Sequence, residues 1–150
     1  MLRMSKLTDY GTMVLAQLAA SDASWTSAGQ VADATHLGPP TVSKLLKSLV
    51  HAGLVVSSRG VLGGYALARP AATISAAEIL DALEGPVAIT ECSSSSGGCD
   101  LESYCRVGTA WQRINHSIRK ALEGVSLADL QTRREPLPKL HTDLREAAVR

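Results

Sequence analysis

Residues 27–69 read SAGQVADATHLGPPTVSKLLKSLVHAGLVVSSRGVLGGYALAR, and the punctuation of this stretch decides the fold. Ser27 followed three positions later by Gln30 resembles a capping box and opens a short helix over 27–36. Leu37-Gly38-Pro39 then breaks the chain, because glycine tolerates turn conformations and proline belongs at or before a helix start. A further helix is expected over 40–52. Val42, Leu45, Leu46, Leu49 and Val50 recur at helical spacing, while Thr41, Ser43, Lys44, Lys47 and Ser48 take the rest of its surface. Gly53 ends it. LVVSS (54–58) reads as a strand, RGVLGG (59–64) as a hairpin tip and YALA (65–68) as the returning strand. Two short helices across a tight turn, followed by a glycine-tipped hairpin, specify a winged helix-turn-helix.

Outward from this core, TDYGTMVLAQLAA (8–20) predicts a first helix, with Thr8 as cap and Asp9 in the first turn. Towards the C-terminus, SAAEILDALE (75–84) predicts a short helix capped by Ser75 and Glu78 and stopped by Gly85-Pro86. Residues 92–105, CSSSSGGCDLESYC, cannot build a core of their own. A long helix is expected over 102–123, where Val107, Trp111, Ile114, Ile118 and Leu122 form an apolar seam. A short helical piece near 126–131 leads into a tail. The expected fold is therefore mainly α with a small β-hairpin: a winged helix-turn-helix domain plus a long dimerisation helix. The expected segments are a DNA-binding domain (1–70), a connecting helix (71–91), a cysteine loop (92–105), the dimerisation helix (102–123) and a C-terminal helix and tail (124–150).

A helix can enter the major groove if one face is buried and the other is small, polar or cationic. In the 40–52 helix, Pro40, Thr41, Ser43 and Lys44 lie at the N-terminal end, where base edges are reached. Lys47, one turn on, suits a phosphate. At the wing, Arg59 suits the minor groove, and Gly60 lets the backbone come close to the phosphates. Composition agrees with this partition. The 150-residue chain carries a net charge of only +1, but residues 1–70 hold six Lys and Arg against three Asp, whereas 71–123 hold four against seven acids. The basic half suits a polyanion and the acidic half does not. With 45% apolar and 19% charged residues the chain has the composition of a folded protein, its core built without phenylalanine. No secretory leader and no membrane-spanning run is visible, so a cytoplasmic protein with no membrane partner is expected. No catalytic constellation is legible, and no enzymatic activity is expected.

Cys92, Cys99 and Cys105 are all the cysteines of the chain and fall in one 14-residue window with the spacing C-x6-C-x5-C. This is neither a zinc-finger pair nor a ferredoxin run. Thiolates are soft ligands suited to an iron–sulphur cluster or to zinc; a thiol redox switch and inert residues are the other readings. Three thiolates leave one position to fill, and Asp100, Glu102, His116 and Asp9 are candidates, Asp9 arriving from the first helix or from a partner chain. The seam at 107–122 keeps roughly coiled-coil spacing over about two heptads. It suggests a homodimer that presents two recognition helices to a pseudo-palindromic operator in double-stranded promoter DNA.

These marks together resemble the family of winged-helix regulators that includes the iron–sulphur assembly regulator IscR and the nitric oxide sensor NsrR. They are MLRMSKLTDYG, HLGPPTVSKLLKSLVHAGLV, SRGVLGGYALAR, ISAAEILDALEG and the three-cysteine loop, spread over about residues 1–135. Within the family the chain is most similar to the bacterial subgroup that controls the SUF iron–sulphur assembly operon. The resemblance implies a homodimer with a cluster (2Fe–2S or 4Fe–4S) on Cys92, Cys99 and Cys105 of each subunit. It also implies a transcription regulator, in this reading a repressor of assembly genes, whose DNA binding follows cluster state. The IscR-like pattern has a histidine three residues after the last cysteine; here Gly108 stands there. The NsrR-like pattern uses an aspartate near the start of the first helix, supplied by the partner subunit, and Asp9 matches it. The other readings are a nitric oxide- or redox-responsive repressor of the same family, and a zinc- or cluster-binding protein-interaction module.

Overall fold

The computed structural model describes residues 5–93, 99–100 and 104–131. Helix α1 (Lys6–Ala20) begins two residues earlier than the sequence suggests. Ser5, not Thr8, is its cap, accepting from the Leu7 amide at 3.1 Å. Thr8 is instead buried within the helix, and its hydroxyl, like that of Ser5, donates to the carboxylate of Glu84. Both residue types cap well, and the local sequence alone does not choose between them.

Helix α2 (Ala28–Thr35) carries the expected capping box, with Gln30 N to Ser27 Oγ at 3.2 Å and Ser27 N to Gln30 Oε1 at 2.8 Å. Its end is marked by His36 at φ +56°, a left-handed position that turns the chain towards Gly38. Helix α3 (Pro39–His51) follows with prolines in its first turn, where no amide partner is lost. Val42, Leu45, Leu46 and Leu49 are buried, so one full stripe of α3 faces the core. The helix closes in a Schellman turn: Leu54 N reaches Leu49 O at 3.0 Å, Gly53 N reaches Val50 O at 3.0 Å, and Gly53 takes φ +74°.

Strands β1 (Val55–Ser58) and β2 (Gly64–Leu67) form an antiparallel hairpin in the register Val55↔Leu67, Val56↔Ala66, Ser57↔Tyr65 and Ser58↔Gly64. Thr26 adds a bridge on the far side of β2, exchanging hydrogen bonds with Tyr65 at 3.0 and 2.9 Å. This crossing explains Gly64, and the tight hairpin turn explains Gly63. A Cβ on Gly64 would lie 2.7 Å from Thr26 O, and one on Gly63 would lie 2.3 Å from Ser58 O.

After a single 3-10 turn (Ala71–Thr73), α4 (Ala76–Leu83) starts with a second capping box, Ser75 with Glu78. A second 3-10 turn (Glu91–Ser93) precedes the cysteine segment. Helix α5 (Gly108–Glu123) begins later than the expected 102. Tyr104 to Val107 are not helical, and Glu102 lies outside the described residues. The apolar period runs back through Val107, but no side chain caps the helix there and Val107 becomes its flanking residue. Helix α6 (Leu127–Gln131) is tied in by Leu127 N to Ile74 O at 2.7 Å, with the Leu127 side chain fully buried. The expected tail beyond Gln131 lies outside the described residues. One core runs through α1, α2, α3, β1, Ile74, Ile79 of α4 and Leu127 of α6.

Candidate nucleic-acid interface and cysteine segment

The buried stripe of α3 leaves its opposite face to solvent. Pro40, Lys44 and Lys47 are exposed there, and Thr41 and Ser43 are half-buried at the same N-terminal end. At the wing, Arg59 and Gly60 are exposed, and Gly60 takes φ +107°. Among the described residues Lys44, Lys47 and Arg59 make no ion pair, in contrast to Arg69 and Arg119, which do. Cations held in water without a carboxylate keep their charge free for a polyanion. The wing base is anchored differently. Arg69, just after β2, donates to Thr73 O and to the Glu78 carboxylate that also caps α4. Sequence reading missed this anchor; Arg69 gave no signal beyond its position before Pro70.

Helix α5 reverses the usual polarity of a surface helix. The edge that packs on its own chain is polar. Asn115 donates to Val87 O at 3.0 Å and accepts from Ile89 N at 3.2 Å, and Arg119 pairs with Asp81 of α4. The expected apolar seam lies mostly on the outside: Val107, Trp111 and Ile114 are exposed, Ile118 and Leu122 are half-buried, and Gly108 is the helix's one buried residue. Ala110, Ile114, Ile118 and Ala121 line a shallow apolar trough along this face.

The same polar edge holds the start of the cysteine segment. Gln112 Nε2 donates to Cys92 O at 3.0 Å, and Cys92 Sγ lies 3.2 Å from Thr90 Oγ1. Cys105 sits against the first turn of α5, where a Cβ on Gly108 would come within 3.6 Å of its sulphur. All three thiols are free and half-buried. Free, partly accessible thiols are the right donors for a soft metal site. Their arrangement does not complete one: among the described residues no three His, Cys, Asp or Glu side chains are gathered to hold a metal ion. Asp9 is exposed on the first turn of α1, in a groove with Thr12, Met13, Leu122 and Leu130, and does not join the cysteines of its own chain in such a group. His116 and Asp100 are exposed.

A helical pair joined by a tight turn, its second helix exposing a cationic end, with a hairpin beside it, defines a winged helix-turn-helix protein. The chain belongs to the Rrf2 family, described as iron-dependent transcriptional regulators, whose profile matches residues 4–133. It is accordingly a transcriptional regulator of a family that binds DNA, and the family is not one of enzymes. Among solved structures it is similar to CymR (YrzC), the global cysteine regulator of B. subtilis. The two share 31% identity over 90% of this chain and 100% of that one, with a TM-score of 0.67. It is similar also to IscR of T. potens, at 28% identity over 89% and 94% of the two chains and a TM-score of 0.63. Staphylococcus aureus CymR in an oxidised form matches at 26% identity over 90% and 100%, with a TM-score of 0.62. No helix among the described residues is long and apolar enough to cross a membrane.

Proposed function

We propose that the chain works as a homodimeric repressor of iron–sulphur cluster assembly genes, and that it senses a cluster through Cys92, Cys99 and Cys105. The observation that carries the DNA half is the exposed cationic face of α3, without ion pairs among the described residues, together with Arg59 on the wing. Pro40, Thr41, Ser43 and Lys44 read base edges, Lys47 neutralises phosphate, and Arg59 with Gly60 follows the minor groove. The outward apolar face of α5 supports a second copy as partner, which sets two recognition helices against a pseudo-palindromic operator. A bound iron–sulphur cluster supplies a reversible, redox-active centre on the segment that α5 holds at Cys92. Asp9 is exposed and free to be offered to a partner chain as the fourth ligand, while Gly108 has no side chain to serve as one.

A second reading is a redox- or nitric oxide-responsive repressor that uses the thiols directly. The three free, half-buried cysteines favour it to the same degree. The experiment that separates the readings is anaerobic titration of labelled promoter duplex with cluster-reconstituted and cluster-stripped protein side by side. A tenfold difference, about 1.4 kcal/mol of coupling, makes the cluster the signal and names the repressing form. Equal affinities that change only on thiol oxidation favour the second reading. No binding by either form rejects the promoter assignment.

A further inference from the structure

The wing tip exposes two large apolar residues that the DNA reading leaves unused. Val61 is 103% exposed and Leu62 90%, the two highest values among the exposed large hydrophobic residues of the described chain. They are held rather than loose. Gly63 N bonds Gly60 O at 3.0 Å, closing a four-residue turn with Val61 and Leu62 at its two central positions. Gly60 supplies the positive φ of +107°. Gly63 packs against the Ser58 carbonyl too closely for any side chain, and Gly64 against the Thr26 backbone. The turn is thus built on glycines that keep its flanks bare, so that an apolar pair stands alone at the apex. Arg59 lies two positions before Val61, exposed and without an ion pair among the described residues.

Full exposure of adjacent Val and Leu is unfavourable in water and promotes association. A partner must accommodate a narrow apolar apex beside a cation. The minor groove of duplex DNA does so: its walls are deoxyribose rings, its floor attracts arginine, and apolar side chains placed there act as wedges. We propose that Val61 and Leu62 enter the minor groove together as an apolar wedge beside Arg59. The wedge seats on sugar walls, displaces groove water and favours sites whose minor groove opens easily. This rests on the DNA-binding reading above and adds to it a contact that involves no charge.

The absence of charge gives the test. A 30-base-pair duplex is first selected by the wild-type protein from a randomised pool, and its affinity is then measured across a salt series for wild type, Val61→Ser/Leu62→Ser and Arg59→Gln. The double variant is expected to lose tenfold or more in affinity, about 1.4 kcal/mol, with the slope of log affinity against log salt unchanged. Arg59→Gln is expected to reduce that slope by about one phosphate contact. A double variant that binds as tightly as wild type overturns the wedge and leaves the DNA reading intact. A loss accompanied by a changed salt slope or a lowered melting temperature also overturns it, since the effect then comes from wing position. If the wild-type protein enriches no duplex at all, the DNA reading fails and the wedge with it.

Discussion

Arg119 of α5 grips Asp81 of α4 with both terminal nitrogens, Nη1 to Oδ1 at 3.0 Å and Nη2 to Oδ2 at 2.7 Å, while its Nε reaches Glu123 at 3.1 Å. Both side chains are about a third exposed, so solvent screens the pair and its contribution is modest. A double-mutant cycle with Arg119→Ala and Asp81→Ala is expected to give a coupling of about 0.5–1 kcal/mol, read from urea midpoints and shrinking with added salt.

Two carboxylates make stability acid-sensitive. Hydrogen bonds from Ser5 and then Thr8 hold Glu84 below the usual carboxylate range, and the Ser75 amide and hydroxyl with Arg69 do the same for Glu78. A depressed folded-state value stabilises the fold above the unfolded value, about 4.3 for Glu, and that contribution is lost as pH falls through the folded-state value. The urea midpoint is therefore expected to drop below about pH 4.3, and to drop less in Glu84→Gln, which is already weakened at pH 7.

Gly64→Ala places a methyl 2.7 Å from Thr26 O and 2.8 Å from Thr26 C, against backbone that has little freedom to retreat. The expected cost is about 2 kcal/mol, measured by thermal or chemical denaturation, with loss of the Thr26–Tyr65 bridge visible as faster amide exchange at Tyr65.

Ile114 is 43% exposed on the outer face of α5. Ile114→Glu is expected to leave the melting temperature of the isolated chain nearly unchanged while shifting sedimentation from dimer to monomer. DNA affinity is expected to fall at least tenfold, about 1.4 kcal/mol. An unchanged dimer in this variant would remove α5 from the interface.

Cys92→Ser, Cys99→Ser and Cys105→Ser are each expected to abolish the visible absorption of an anaerobically reconstituted protein. Asp9→Asn is expected to retain colour but bleach faster in air, because a neutral amide is a poorer ligand than a carboxylate. Colour that persists in all three cysteine variants would reject Cys92, Cys99 and Cys105 as the cluster's ligands.

Local chemistry made most of the fold legible. Ser27 with Gln30 and Ser75 with Glu78 form capping boxes within four residues of sequence, and both are present. The stripe Val42, Leu45, Leu46 and Leu49 needed only its period to be read as buried. What sequence reading missed depends on distant partners. Ser5 rather than Thr8 caps α1, and Glu84, at the end of α4, receives both hydroxyls, a contact between segments far apart in the chain. The start of α5 was misplaced because no side-chain cap marks it: Val107 flanks the helix without one. In the site, the exposed polar face of α3 followed from its buried stripe. The spacing of the cysteines showed that they share a segment but carried no information on convergence. The apolar wing apex was visible as Val-Leu between glycines, yet its full exposure depends on the Gly60–Gly63 turn.

The polar underside of α5 has a kinetic consequence. Asn115 and Arg119 orient the helix on its own chain through hydrogen bonds to Val87, Ile89 and Asp81. In the proposed dimer the helix is thus already set in direction before another copy arrives, and would act as a preformed half of a joint rather than a segment that folds on contact. Joining two such halves orders few residues, so pairing is expected to proceed by docking, with a heat-capacity change scaled to the apolar face alone and a rate second order in protein concentration.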